Sequence, residues 1–158
     1  MVIDKFIDIE GHDFVVLENL RQVRVVTDRD ISDVMKGIEK KVGLEFEYKG
    51  DTGEIFEVYF DNESELKKTY SSIRNALAKE KYVEIEGHTI VIVDDVRHIW
   101  KEEEKGVARK PSTYTINFSF YDEDEITVEV KCKVAQDCEY NAIVKKMCMK
   151  NSDIGTLA

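Results

Sequence analysis

The sequence predicts an α+β fold: a tandem duplication of a four-stranded antiparallel β-meander followed by a covering helix, with an extra helix inserted in the first copy. Two observations predict it. Residues 5–23, KFIDIEGHDFVVLENLRQV, recur as residues 81–99, KYVEIEGHTIVIVDDVRHI, at a constant offset of 76. Lys5, Ile9, Glu10, Gly11, His12, Val15 and Arg21 return unchanged as Lys81, Ile85, Glu86, Gly87, His88, Val91 and Arg97. Each copy then closes by switching from a two-residue to a helical period. Tyr70, Ile73 and Leu77 are matched by Tyr140, Ile143 and Met147, now at an offset of 70. The organisation expected is a repeat over 1–80, a second over 81–150 and a frayed tail over 151–158. No linker separates Glu80 from Lys81, so the repeats should pack as one unit.

The elements of the first copy follow in order. Lys5–Glu10 alternates apolar and polar residues, which reads as a strand. Glu10-Gly11-His12 turns the chain, and Phe14–Leu17 is the second strand. Glu18-Asn19 interrupts the apolar run before Leu20 and Val23–Val26, a short strand or a bulged continuation. Asp30–Val42 carries Ile31, Val34, Met35, Ile38 and Val42 at helical spacing, and Gly43 can end that inserted helix. Leu44–Lys49 and Glu54–Phe60 form a hairpin around Asp51-Thr52-Gly53. Asn62–Glu80 is an amphipathic helix with Leu66, Tyr70, Ile73 and Leu77 on its apolar side, capped by Asn62 or Ser64.

The second copy repeats this. Tyr82–Glu86 and Thr89–Val93 make a hairpin, Val96–Trp100 extends it, and Glu102–Pro111 reads as an exposed, charged loop. Tyr114–Tyr121 and Ile126–Val134 flank the acidic turn Asp122–Glu125, and Asp137–Lys150 closes the copy as a helix.

Composition limits the function classes. Of 158 residues, 42% are hydrophobic and 35% charged, enough for a core beneath a charged surface and not the profile of a disordered chain. The net charge of −10 argues against a generic phosphate-binding surface, which needs a cationic face. The acids are spread: residues 1–80 hold 18 acids and 12 bases, the remainder 15 and 11. No apolar run approaches a membrane span, and Met1–Phe6 carries an acid where a signal peptide needs a basic region, so a cytoplasmic protein is expected. Cys132, Cys138 and Cys148 are odd in number and match no zinc spacing; reduced, partly buried thiols are expected, with a Cys132–Cys138 bridge as the alternative.

Candidate chemistry is sparse. His12 and His88 each follow a turn glycine, which accounts for them without a metal, and no dense ligand cluster surrounds them. Arg21 and Arg97 each follow an acidic pair or an acid-amide pair, so a local ion pair or loop carbonyl would satisfy them. No nucleophile elbow or phosphate loop occurs, so no catalytic residue, metal or cofactor is assigned. Glu102, Glu103 and Glu104, with Asp122, Glu123, Asp124 and Glu125, form two acid runs at expected loop positions. Charge there can serve solubility alone, or it can steer a basic partner. Trp100 and Tyr121 lie beside these runs and could anchor an interface.

The reading that follows is a small acidic, non-enzymatic binding protein. It would dock on a basic protein surface through Trp100, Tyr121 and the two acid runs, in the manner of inhibitors made by phages and mobile elements. A homo-oligomer is a further possibility. Two sheet-then-helix repeats in one chain also resemble the PUR-type repeat architecture, in element order over most of the chain. That resemblance implies a single-stranded nucleic-acid binder, against which the charge of −10 counts. A small-ligand binder at the repeat interface is the remaining alternative.

Overall fold

The computed structural model describes residues 6–8, 14–28, 41–50 and 55–157. Among them the chain is α+β, with ten antiparallel strands in three sheets and two α-helices. The strands are β1 (Phe6–Asp8), β2 (Phe14–Val16), β3 (Leu20–Asp28), β4 (Lys41–Tyr48) and β5 (Phe56–Phe60). After helix α1 (Glu63–Ala76) come β6 (Tyr82–Ile85), β7 (Thr89–Ile92), β8 (Val96–Glu104), β9 (Thr113–Phe120), β10 (Glu125–Val130) and helix α2 (Lys133–Leu157). A single 3₁₀ turn, Lys79–Lys81, joins α1 to β6.

Among the described residues five strands therefore precede each helix, where four are expected. The extra strand arises because β3 and β8 are long elements in their own right and not extensions of β2 and β7. A β-bulge lies between Leu20 and Gln22 in β3 and between Val96 and His98 in β8. Glu102–Glu104, expected in a loop, complete β8 opposite Thr115, Tyr114 and Thr113. Backbone pairing to β9 outweighs their modest strand propensity. Val42, expected at the end of the inserted helix, is instead buried in β4 opposite Phe60. Lys41 likewise lies in β4, and residues 30–40 of that helix, with the turns at Gly11-His12 and Asp51–Gly53, lie outside the described residues. Helix α2 continues to Leu157, so the segment expected to fray is helical backbone as far as that residue.

The sheets have orders β5-β4-β3-β7-β6, β10-β9-β8 and β1-β2. Helix α1 starts where Asn62 Oδ1 accepts the Glu65 N–H at 2.9 Å, satisfying one orphan donor of the first turn. It lays Leu66, Tyr70 and Ile73 on the first core, beside Val23, Leu44, Phe46, Val58 and Phe60. Helix α2 lays Ile143, Tyr140 and Met147 on the second core, beside Ile116, Phe118, Ile126 and Val128.

Hairpin β6–β7 belongs to both cores. Tyr82, Ile90 and Ile92 face the first, and Val83, Ile85, Val91 and Val93 face the second. Alternation along a strand sends successive side chains to opposite faces, so a run apolar at every position requires two apolar surroundings. TIVI meets that requirement: β7 is buried at every residue.

Candidate functional site

The β3 bulge carries Arg21, whose side chain is 0% exposed. Its guanidinium lies on the Phe120 ring, 3.7 Å from the centroid to Cζ. Nη1 donates to Asp95 Oδ1 at 2.7 Å, and Nη2 donates to Asp122 Oδ2 at 2.7 Å and to Asp124 Oδ2 at 3.1 Å. Asp124 Oδ2 also accepts the Gly50 N–H at 3.1 Å, tying the β4–β5 turn to the β9–β10 turn. Burial by itself lowers the Arg21 pKa, and the hydrogen bonds and charges of Asp95, Asp124 and Asp122 more than reverse this. Burial would likewise push the Asp95 carboxyl up, yet its hydrogen bond and charge contact with Arg21 hold it below the usual carboxylate value.

This arrangement revises two expectations. The partners of Arg21 are not local; all lie some seventy to one hundred positions away, across the fold. The Asp122–Asp124 turn is not wholly solvated. Asp124 is buried, and Asp122 Oδ1 also accepts the Asp124 N–H at 3.1 Å. Glu123 forms the turn tip at φ 72°, and Tyr121 beside it is 70% exposed.

The remaining acids sort by strand face. Pairing in the second sheet sets Trp100 opposite Asn117 and Asn117 opposite Thr127. On either side lie the rows His98, Ser119, Glu125 and Glu102, Thr115, Glu129. Side chains of paired residues share a face, and this face is opposite Ile99, Phe118 and Ile126, which enter the core. The outer face of the second sheet thus gathers Trp100, Glu102, Glu104, Glu125 and Glu129, while Lys101 lies on the opposite face and exposed Arg97 stands at the bulge beside His98. Glu103 falls on the helix side, next to Lys101, which pairs with Asp137 at 3.1 Å. Trp100 is half-buried. Its ring stacks on His98 with centroids 4.7 Å apart, and its Nε1–H donates to Glu102 Oε1 at 2.7 Å. Asn117 is buried at the centre of the face, bonded to Thr115 Oγ1 and Thr127 Oγ1.

The matching face of the first sheet is built differently. Offset by 76, Trp100 corresponds to Arg24, which forms an ion pair with Glu45, and His98 corresponds to Gln22, which donates to Glu47 at 2.8 Å. Glu45 on that face has a cationic partner, whereas among the described residues no ion pair reaches the carboxylates around Trp100.

Elsewhere, an open cleft of about 340 Å³ between the two runs of elements is lined by Leu17, Asn19, Lys49, Ala76, Lys81 and Asp94. The Lys49–Asp94 pair at 3.4 Å spans it. Cys132, Cys138 and Cys148 are free thiols; Cys138 and Cys148 are exposed where partial burial is expected. His88 Nδ1 meets Thr89 Oγ1 at 2.7 Å. His12 lies outside the described residues. Among the described residues, no group of three or more potential ligands could hold a metal ion, and no helix is long and apolar enough to cross a membrane. No protein-family model, curated protein or solved structure matches the chain.

Proposed function

We propose that the chain is a tandem duplication whose second copy has become a docking surface, and that it acts as a non-enzymatic acidic binding protein. The duplication reading is supported by the coincident spans of β3 and β8, 76 residues apart and bulged at the same position. It is supported further by hairpins β4–β5 and β9–β10 with equivalent pairings, Phe46 to Phe56 and Phe118 to Ile126.

One observation carries the functional reading. The outer face of the second sheet gathers Trp100, Glu102, Glu104, Glu125 and Glu129, and among the described residues none of these carboxylates forms an ion pair, while on the corresponding face of the first Arg24 pairs with Glu45. A row of strand carboxylates attracts a basic surface and fixes its orientation. An aromatic platform within that row supplies apolar contact area when water leaves. Such a face suits a small inhibitor that occupies a basic surface of another protein. Asp122 and Asp124 drop out of the docking set because they hold Arg21. Glu103 drops out because it faces α2. Glu123 and Tyr121 remain at the adjoining turn.

The test is affinity capture from native lysate at low and moderate salt, with the wild type beside a variant carrying Glu102→Lys, Glu104→Lys and Glu129→Lys. A basic protein retained by the wild type and lost by the variant supports the reading. Equal retention by both defeats it. Recovery of nucleic acid that nuclease removes, lost with the same variant, would favour the PUR-like alternative.

A further inference from the structure

The hairpin of β8 and β9 carries opposite charges on its body and at its tip. Residues 105–112 join the two strands and read KGVARKPS, with Lys105, Arg109 and Lys110 and no acid. The loop closes on itself. Lys110 N–H donates to Val107 C=O at 3.3 Å, and Gly106 N–H donates to Ser112 Oγ at 3.2 Å. Ala108 turns the chain at φ 61°, and a Cβ on Gly106 would lie 1.8 Å from the Lys110 carbonyl oxygen, so only glycine fits there. The three cations are exposed, and among the described residues none of them forms an ion pair. Val107 at the turn is 79% exposed.

The body of the same hairpin presents the complement. On its outer face Trp100 is half-buried, and Glu102, Glu104 and, from β10, Glu129 are exposed. A cationic turn with one exposed valine matches a row of carboxylates around an aromatic ring. The tip cannot fold back onto its own face, because the loop closes between Gly106 and Ser112, directly past the end of β8. A second copy can supply it. Placed on the Glu104–Thr113 rung, a twofold axis sets each turn, about 10 Å past the rung, over the Glu102 and Trp100 rungs of the other copy, about 7–14 Å before it. Such a contact uses the same surface on both copies and closes at two chains.

We propose that the outer face of the second sheet pairs two copies of this chain, each receiving the loop of the other at Trp100, Glu102, Glu104 and Glu129. Lys105, Arg109 and Lys110 neutralise the carboxylates, and Val107 covers Trp100. Each chain carries a net −10, so two copies repel at long range. At about 0.1 M salt that repulsion is screened beyond about 10 Å, whereas charges in contact still attract. The inference rests on the docking reading only in taking this face as an interface. It names the occupant as a second copy, which a foreign basic protein would have to displace.

Sedimentation of the full chain over a concentration series, in about 0.1 M salt, tests it. The wild type should pass from one chain to two and no further. One variant reverses the tip with Lys105→Glu, Arg109→Glu and Lys110→Glu; another reverses the face with Glu102→Lys, Glu104→Lys and Glu129→Lys. Each should weaken pairing at least about tenfold, the loss expected for one close charge pair. Both sets in one chain should restore pairing, because the complementarity returns with its signs exchanged. All six positions are exposed, so thermal midpoints should stay near that of the wild type. A wild type that remains a single chain at every concentration overturns the proposal, as do assemblies larger than two. So does pairing that survives either reversal, or that the combined variant fails to recover. In each of these cases a basic protein captured by the wild type and lost with the face variant still upholds the docking reading, so the two fail separately.

Discussion

Arg21 and Arg97 sit at the same bulge position of β3 and β8, yet Arg21 is fully buried among Asp95, Asp122 and Asp124 while Arg97 is exposed. The three carboxylates come from the second run of elements and the guanidinium from the first, so the cluster staples the two together. Arg21→Ala removes the cation that Asp95, Asp122 and Asp124 share and should cost about 3–5 kcal/mol, the usual loss when one partner of a buried pair is removed. Arg97→Ala should stay within about 0.5 kcal/mol, as exposed substitutions do. Denaturant midpoints of the two variants check this; equal losses would contradict it.

The same cluster sets an acid limit. Asp95 titrates below its unfolded value when folded, so on acidification the unfolded chain takes up its proton first. The stabilisation is complete above the unfolded value, about pH 4, and is lost as pH falls through the depressed one. Arg21 remains charged throughout. Asp95→Asn should therefore lower stability at neutral pH and flatten the decline below about pH 4. Urea midpoints from pH 6 down to 2 measure it; a decline as steep as that of the wild type would exclude this role for Asp95.

The shared hairpin should couple the two cores so that they unfold together. Ile90 belongs to one core and Val91, its neighbour, to the other, and both are 0% exposed. Ile90→Ala should cost about 2–5 kcal/mol, as large truncations in a core do. Its unfolding, followed at Trp100 in the second sheet, should shift as far as that followed by helical signal. A tryptophan transition left in place would mean the cores unfold separately.

Helix α1 offers a smaller test. Asn62→Ala removes the side-chain acceptor for Glu65 N–H and should cost about 1 kcal/mol. Thermal denaturation reads that loss, and Ser64→Ala should have little effect, since Asn62 is the cap.

Much of this architecture was legible in residue patterns. The two-residue alternation of Leu44–Tyr48 and the stripe Leu66, Tyr70, Ile73 report local geometry, and both formed as read. The apolar run TIVI pointed to a strand, but its burial between two cores depends on which elements meet there. Arg21 was visible as a recurring residue, whereas its partners, three aspartates far along the chain, were not. A buried guanidinium needs carboxylates, but the sequence held 33 acids from which to choose. The acid run at Glu102–Glu104 was seen as a unit. Only strand pairing separates Glu102 and Glu104, beside Trp100, from Glu103, beside α2.

The docking face is tested most directly by association kinetics with the basic protein that capture identifies. The measurement compares the wild type with a variant carrying Glu102→Gln, Glu104→Gln, Glu125→Gln and Glu129→Gln as salt rises from about 0.01 M to 1 M. Over that range the screening length falls from about 30 Å to 3 Å. The account predicts a wild-type association rate that falls steeply with salt, and a variant rate that is slow and nearly flat. The same rate and the same salt slope in both proteins would contradict it.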